Sequence, residues 1–241
     1  MDERTNRDNE ALIAFWDKAL RFSDEDRAEA REAGPEDYAQ MAPAKKLFDA
    51  ATALGGCKRV LDYGCGYGWA AVAAAKGGCV HVTAADPAAG AVESAKFLAE
   101  LFGVADRVEA VCVAPDWLKT VPDATFDGFF SCNVLDVVPK ETADEIVREA
   151  ARVVTQDASV VIGLNYWVSP EKAAEKGFSI TDGCVYLDGV LRLVSRTDAE
   201  WEAVFAPYFT VERLAYFAWE GEETETRRLF FLKKRNGGEN A

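Results

Sequence analysis

The feature that most constrains this 241-residue chain is a glycine-rich turn between an apolar run and an alanine-rich run. The run Val60-Leu61-Asp62-Tyr63 predicts a short strand, and the alanine-rich run to Lys76 predicts a helix. Between them lie Gly64, Gly66 and Gly68. Glycines let the backbone adopt positive φ angles and let a ligand approach the first N–H groups of the helix. The stretch predicts a site for a small polar ligand, although a plain turn between packed elements is the alternative.

A second predicted strand ends in a carboxylate. The run from His81 to Ala85 has the apolar character of a strand and is followed by Asp86 and Pro87. At the carboxyl end of a parallel strand, an acid can accept hydrogen bonds from a ribose diol. The ends of the two strands together therefore predict a nucleoside site.

Four blocks of the sequence resemble the class I S-adenosylmethionine-dependent methyltransferases. They are the glycine block from Val60 to Gly68, the acid Asp86, the pair Asp116-Trp117 after a third predicted strand, and the block from Phe126 to Leu135. The resemblance covers residues 58–165 well and the remainder loosely. It implies an α/β, Rossmann-like, doubly wound fold with a seven-stranded sheet that ends in an antiparallel C-terminal hairpin.

The resemblance also implies S-adenosyl-L-methionine as the cofactor and S-adenosyl-L-homocysteine as its product. In this interpretation the glycines hold the methionine portion, Asp62 lies near its ammonium and Asp86 binds the ribose. Asp116 accepts a hydrogen bond from the adenine amine, with Trp117 stacked on the base, although Asp116 is also suited to capping a short turn. The predicted cofactor-binding residues are Asp62, Gly64, Gly66, Tyr67, Gly68, Asp86, Pro87, Asp116, Trp117 and Asn133.

Charge and composition restrict the kinds of molecule that the protein is expected to bind. The chain has 27 basic and 41 acidic residues, a net charge of −14, and no stripe rich in lysine or arginine. Because such a surface repels nucleic acid, we expect a small-molecule acceptor. A charged amino terminus and apolar runs too short to span a bilayer argue against export and membrane insertion. Six cysteines without a Cys-x-x-Cys pair indicate reduced thiols and a cytoplasmic location. The sequence shows no cluster of metal-ligating residues, so no bound metal is expected.

We expect one large domain, residues 55–241, preceded by a helical cap, residues 1–54, that folds over the strand ends. Apolar spacing predicts a helix from Leu12 to Leu20, and another is expected from Pro43 to Leu54. Residues 168–184 read as an irregular connection, followed by a β-hairpin with its turn at Asp188-Gly189. This insertion, about 168–195, would serve as a lid or a dimer element in a monomer or homodimer.

The acceptor-binding residues are the least constrained part of the site. Aromatic groups of the cap and polar groups beyond the fourth and fifth strands can face the same crevice. Each of these groups also has a structural alternative. The aromatic residues of the cap can be core anchors, the residues after the fifth strand can simply cover the end of the sheet, and the loop aspartate can be solvated or cap a helix. The predicted acceptor contacts are Trp16, Tyr38, Asp136, Asn165, Tyr166 and Tyr186. The catalytic group stays unidentified, with Asp136 and Tyr166 as candidates, and His81 is expected at the opposite end of the sheet.

Together these features predict in-line transfer of a methyl group to a nitrogen, oxygen or sulfur nucleophile, mainly through positioning. One alternative is a nicotinamide-dependent oxidoreductase of Rossmann type. Such enzymes prefer Gly-x-Gly-x-x-Gly, and Gly68 comes one position too early for that motif. The other alternative is a non-catalytic module that binds S-adenosylmethionine.

Overall fold

The chain folds around a seven-stranded mixed sheet. The structure, a computed structural model, describes residues 3–34, 36–175, 177–187 and 190–236. Numbered in chain order, the strands of this sheet are β1 (Arg59–Tyr63), β2 (His81–Asp86), β3 (Val108–Cys112), β4 (Phe126–Cys132), β5 (Val154–Leu164), β9 (Phe209–Phe217) and β10 (Arg227–Lys234).

The strand order is β3-β2-β1-β4-β5-β10-β9, and the first five strands are parallel. β10 runs antiparallel to both β5 and β9. β1 lies between β2, where Tyr63 is opposite Ala85, and β4, where Asp62 is opposite Phe130. Since the chain leaves β1 toward β2 on one side and returns to β4 on the other, a crevice forms at the carboxyl ends of these strands. The predicted doubly wound sheet and its antiparallel C-terminal hairpin are confirmed.

Helices cover both faces of the sheet. They are α1 (Glu3–Ala19), α2 (Asp24–Glu32), α3 (Lys45–Ala53), α4 (Trp69–Lys76), α5 (Ala89–Leu101), α6 (Lys140–Val153), the short α7 (Pro170–Glu175) and α8 (Asp198–Phe205). Successive side chains of a strand point to opposite faces. Val60 accordingly packs in one apolar cluster with α3, α4 and α5, whereas Leu61 packs in a second cluster with α6 and α8. The sheet is therefore buried on both sides.

Two helices begin at a capping residue. Ser23 caps α2 and Thr197 caps α8, each in a reciprocal capping box. α1 begins at Glu3, nine residues before the predicted Leu12, because its first turns are polar and show no apolar stripe. Among the described residues, no helix combines the length and the apolar character needed to cross a bilayer.

The insertion between β5 and α8 forms a second, three-stranded antiparallel sheet. Its strands are β6 (Ser179–Thr181), β7 (Cys184–Leu187) and β8 (Val190–Val194), with β7 in the middle. The predicted hairpin corresponds to β7 and β8, and its turn at residues 188 and 189 lies outside the described residues. The prediction of an irregular connection over 168–184 is wrong, because α7 and β6 form there and β6 pairs with β7.

Candidate active site

A cavity of about 360 Å³ lies at the carboxyl ends of β1, β2 and β4, beneath α1. It is lined by the turn after β1, by the residues that follow β2 and β4, and by one face of α1. Six of the predicted cofactor-binding residues line it: Gly64, Gly66, Tyr67, Asp86, Pro87 and Asn133. The structure therefore brings the ends of three neighbouring strands together around one space.

The three glycines of the turn have distinct structural requirements. All adopt positive φ angles, +70° at Gly64, +54° at Gly66 and +82° at Gly68. A Cβ on Gly64 would lie 2.2 Å from Val134 Cγ2, and one on Gly68 would lie 2.7 Å from Ala95 Cβ. At Gly66 the nearest atom is Leu20 Cδ1, at 3.7 Å. The outer glycines allow close packing, whereas a Cβ at the middle one would make only an ordinary van der Waals contact at the cavity wall.

Asp86 holds the turn in this shape from the end of β2. Its Oδ2 accepts a hydrogen bond from the backbone N–H of Gly66 at 3.0 Å, and its Oδ1 accepts one from Ala88 at 2.8 Å. Burial raises the pKa of this carboxyl above its usual value, although the two backbone donors oppose the shift. Each carboxylate oxygen has a further acceptor position, which suits it to a pair of ligand hydroxyls.

Asp62 lies behind the turn and does not line the cavity. Its Oδ2 accepts a hydrogen bond from the N–H of Ala71, in the first turn of α4, at 3.1 Å. Complete burial raises the pKa of Asp62 to about 7, and the nearby negative charge of Asp86 acts in the same direction. The predicted contact of Asp62 with a ligand ammonium therefore stays a prediction.

Asn133, immediately after β4, has an unsatisfied acceptor at the cavity. It adopts a left-handed φ of +56°, and its N–H donates to Gly163 O at 2.9 Å. Its side-chain Oδ1 is buried and has no hydrogen-bond partner among the described residues. An unpaired buried acceptor of this kind costs free energy.

A smaller side cavity of about 20 Å³ continues the site toward the end of β3. The two cavities share Asn9, Tyr63, Pro115, Thr142 and Ile146. Asp116 lines the side cavity, where its carboxylate is available to a ligand that extends from the main one. Trp117 lines neither cavity, since it begins a 3-10 helix and packs against the apolar cluster beneath α6.

The structure separates the two aromatic residues predicted in the cap. Trp16 lines the main cavity. Tyr38 does not, because its ring packs against Phe48 and Phe102, with centroid separations of 5.8 and 6.2 Å. Tyr38 therefore belongs to the packing between the cap and the sheet domain.

Asp136 is a buried structural residue in the loop between β4 and α6. Its side chain is 0% exposed and does not line the cavity. Its Oδ2 accepts from the N–H of Asn165 at 2.5 Å, and its carbonyl accepts from Val194 at 2.6 Å. Burial raises the pKa of Asp136. Instead of facing the acceptor, Asp136 fastens this loop to the end of β5 and to the inserted sheet.

The remaining predicted acceptor contacts also connect elements outside the cavity lining. The Asn165 side chain accepts a hydrogen bond from Arg227, whose guanidinium lies 5.3 Å from the ring centroid of Tyr166. The hydroxyl of Tyr186 accepts from Arg4 at 3.0 Å and donates to Asp8 at 3.1 Å. These contacts attach the inserted sheet and the end of β5 to α1 and β10.

Several cavity residues were absent from the sequence prediction. Asn9, Ile13 and Trp16 of α1 line the cavity, and Leu20, immediately after α1, continues their spacing of four, three and four residues. That helical period is visible in the sequence and could have identified them. Trp219, which follows β9, also lines the cavity, and its indole Nε1 is buried without a partner among the described residues. No local pattern marks Trp219, because the fold alone brings it to the site.

The protein is a Rossmann-like α/β protein with a cavity at the carboxyl ends of three neighbouring parallel strands. Residues 60–157 match the family model described as "Methyltransferase domain". Among the described residues, no group of three or more His, Cys, Asp or Glu side chains is placed to hold a metal ion.

Curated and solved proteins agree with this class. The chain is 30% identical over 150 residues to ubiquinone biosynthesis O-methyltransferase of Neisseria meningitidis serogroup C (strain 053442). This match covers 62% of the chain and only 58% of the relative's length. The fold is similar to Burkholderia thailandensis 1,6-didemethyltoxoflavin-N1-methyltransferase, with a TM-score of 0.64, 16% identity, and coverage of 89% of this chain and 92% of that one.

A second similar fold is that of the mitomycin 7-O-methyltransferase MmcR, with a TM-score of 0.57 and 18% identity. That comparison covers 79% of this chain and 54% of the other. The chain is thus similar to methyltransferases in sequence over residues 60–157 and in its fold.

Proposed function

We propose that this protein transfers the methyl group of S-adenosylmethionine to a small-molecule nucleophile. The single observation that carries the proposal is one cavity that the glycine turn, Asp86 and Asn133 line together at the ends of β1, β2 and β4. The ribose of a nucleoside cofactor supplies hydrogen-bond donors for the Asp86 carboxylate, and Gly66 lets the cofactor approach the backbone. The similar proteins named above are methyltransferases whose names refer to small molecules, which supports a small-molecule acceptor.

Each part of the cavity has a role in this proposal. The turn from Gly64 to Gly68 receives the methionine portion, with Asp62 beneath it, and Asp86 accepts from the ribose hydroxyls. Pro87 and Pro115 offer apolar surfaces to the adenine. Asp116, in the side cavity, accepts from the adenine amine.

The bound cofactor supplies an electrophilic methyl group on a sulfonium. The chain positions the acceptor in line with the carbon–sulfur bond and excludes water from it. Trp16 of α1 and Leu20, immediately after α1, cover the cavity, and Trp219 contributes a further wall. No covalent intermediate with the protein is required, so positioning supplies the rate gain.

Calorimetry with S-adenosylhomocysteine tests this assignment. We expect the wild-type protein to bind it and to show no heat signal with NADH, which would exclude the oxidoreductase alternative. Asp86→Asn should weaken binding by about tenfold or more, since it removes a charged acceptor for hydroxyl groups.

Asp127→Asn provides the matched control. Asp127 also accepts two backbone hydrogen bonds, from Lys58 at 2.9 Å and Arg59 at 2.7 Å, but it does so at the amino end of β1. The Asp127→Asn variant should bind S-adenosylhomocysteine with the affinity of the wild-type protein. Equal affinities for Asp86→Asn and wild type would remove the ribose role, and an absence of binding to the wild type would contradict the proposal.

A further inference from the structure

The main cavity has few groups that can accept a proton. Among the described residues that line it, the ionisable side chains are Asp86, Tyr63, Tyr67, Cys65 and Cys132. Histidine, lysine, arginine and glutamate do not occur in this set. Asp86 is engaged by the turn, as described above, and the Tyr67 hydroxyl donates to Met41 O at 3.0 Å. Burial raises the pKa of both cysteines and both tyrosines, so these side chains hold their protons at neutral pH.

The carboxylates of the side cavity are also occupied. Asp116 is assigned to the adenine amine in the proposed function, and the two glutamates that line this cavity form ion pairs along α6. Glu145 pairs with Lys119 at 2.6 Å, and Glu149 pairs with Arg152 at 2.7 Å. Both lie on the side of Asp116, where the proposal places the adenine. A hydroxyl acceptor, which must lose its proton to react, would find no positioned base.

An anionic acceptor is also poorly matched to the lining. A phenolate, thiolate or carboxylate loses hydration on entry, and this cost requires compensation by cationic or strongly donating groups. The described lining contains no cationic side chain, and the carboxylate of Asp86 is close to the glycine turn. An uncharged nucleophile avoids this cost.

Resting on the proposed function, we infer that the methyl acceptor is a flat, apolar molecule that attacks through an uncharged nitrogen, either a ring nitrogen or an aromatic amine. The nitrogen lone pair forms the new bond to carbon while the carbon–sulfur bond breaks and its electron pair remains on sulfur. The positive charge thus moves from sulfur to nitrogen, and the total charge in the cavity does not change. Where the nitrogen carries hydrogen, the methylated ammonium releases a proton to water after transfer.

The aromatic walls fit both the shape and the charge of this acceptor. Trp16 from α1 and Trp219 from the end of β9 line the same cavity. Arg227 lies 3.4 Å from the ring centroid of Trp219 and is ion-paired with Glu222, which holds this indole in place. Aromatic faces accommodate flat ligands by stacking, and the face of Trp16 attracts the positive charge that develops on nitrogen.

A panel built on one skeleton tests the nucleophile. With saturating S-adenosylmethionine, the production of S-adenosylhomocysteine is measured with isoquinoline, 2-naphthylamine, 2-naphthol, 2-naphthalenethiol and 2-naphthoate. We expect turnover with the two nitrogen compounds to exceed that with the others by about 100-fold. A positioned base accelerates a reaction by at least about this factor, and the hydroxyl of 2-naphthol finds no such base here.

Two results would overturn the inference. One is a rate with 2-naphthol, the thiol or the acid that equals or exceeds the rates with both nitrogen compounds. The other is a protein that binds S-adenosylhomocysteine by calorimetry but methylates neither nitrogen compound. Failure to bind S-adenosylhomocysteine would instead contradict the proposed function itself.

The aromatic wall is tested separately at Trp16. Trp16→Ala should raise the KM for isoquinoline by about tenfold, and Trp16→Phe should restore most of the loss, because a phenyl face still stacks. Affinity for S-adenosylhomocysteine should change by less than about twofold in either variant. Trp167→Ala removes an exposed tryptophan outside the cavity and is the control. An unchanged KM in Trp16→Ala would remove the stacking role.

Discussion

Two buried aspartates at the ends of adjacent strands perform different tasks. Asp86 lines the cavity and has two backbone donors, one of which belongs to the glycine turn. Asp62 lies behind the turn with one backbone donor, from Ala71. Asp62 has fewer hydrogen-bond donors than Asp86 to offset its burial, so its carboxyl group is harder to ionise. A negative charge on Asp62 at neutral pH lowers the stability of the fold.

The titration of Asp62 predicts a pH-dependent stability. Its pKa rises from 3.8 to about 7 on folding, so the folded state holds a proton that the unfolded state releases between these values. The free energy of unfolding contributed by this group therefore decreases as pH rises from about 4 to about 7, and is constant above that range. Asp62→Asn removes the titration while its amide oxygen still accepts from Ala71.

The melting temperatures of Asp62→Asn and of the wild type are measured from pH 4.5 to pH 8.5, and their difference is plotted against pH. Titrations of groups that both proteins share largely cancel in this difference. The difference should move in favour of the variant as pH rises and level off above pH 7. A difference for Asp62→Asn that is constant with pH would contradict the buried, protonated carboxyl.

At the scale of elements, the turn between β1 and α4 is tested by two alanine substitutions. In Gly66→Ala, the left-handed φ costs about 1–2 kcal/mol, and the new methyl group makes an ordinary van der Waals contact with Leu20 at the cavity wall. We expect a loss of a few degrees in melting temperature and a loss of about tenfold or more in affinity for S-adenosylhomocysteine.

Gly64→Ala is the comparison, since its Cβ would lie 2.2 Å from Val134 Cγ2. This variant should lose more stability than Gly66→Ala, because the φ strain is joined by a clash with a neighbouring side chain. Calorimetry and thermal unfolding of both proteins check the ranking. If Gly66→Ala binds S-adenosylhomocysteine as tightly as wild type does, this part of the cavity does not hold the ligand.

Elements with strong local signals could be predicted from the sequence, and others could not. The glycine turn and the strand-end acid Asp86 follow from residue type and spacing, and the C-terminal hairpin follows from the family resemblance. β6 is three residues long, and it exists because β7 offers an edge for pairing, which no local pattern reveals. Tyr38 and Asp136 were predicted at the site, but residue type alone does not tell whether a side chain faces a cavity or a neighbouring element.

At the scale of the whole molecule, α1 connects the sheet domain to the inserted sheet above the cavity. Asp17 Oδ1 accepts from the N–H of Gly90, at the start of α5, at 2.7 Å. Leu12 packs in a cluster with Leu191 and Val194 of β8. The packing that closes the site thus joins segments that are distant in the sequence, which is why the acceptor side could not be predicted from local patterns.

Gly90→Ala tests this connection without altering a cavity residue. Its Cβ would lie 2.2 Å from Asp17 O, so α1 must move away from α5. We expect faster hydrogen exchange in residues 3–20 and weaker binding of S-adenosylhomocysteine. Gly56→Ala, where the structure has nothing within 4 Å of the new Cβ, is the control and should leave both properties unchanged. Unaltered exchange in Gly90→Ala would show that this contact does not hold α1.

The central claim is that one cofactor cavity is formed by the ends of β1, β2 and β4 and covered by α1. Hydrogen exchange measured by mass spectrometry, with and without S-adenosylhomocysteine, tests it most directly. We predict that the ligand slows exchange in residues 63–72, 86–90 and 133–138 and in α1, while residues 105–110, at the other end of the sheet, exchange as before. Protection confined to other parts of the chain, or no protection at a saturating ligand concentration, would contradict the claim.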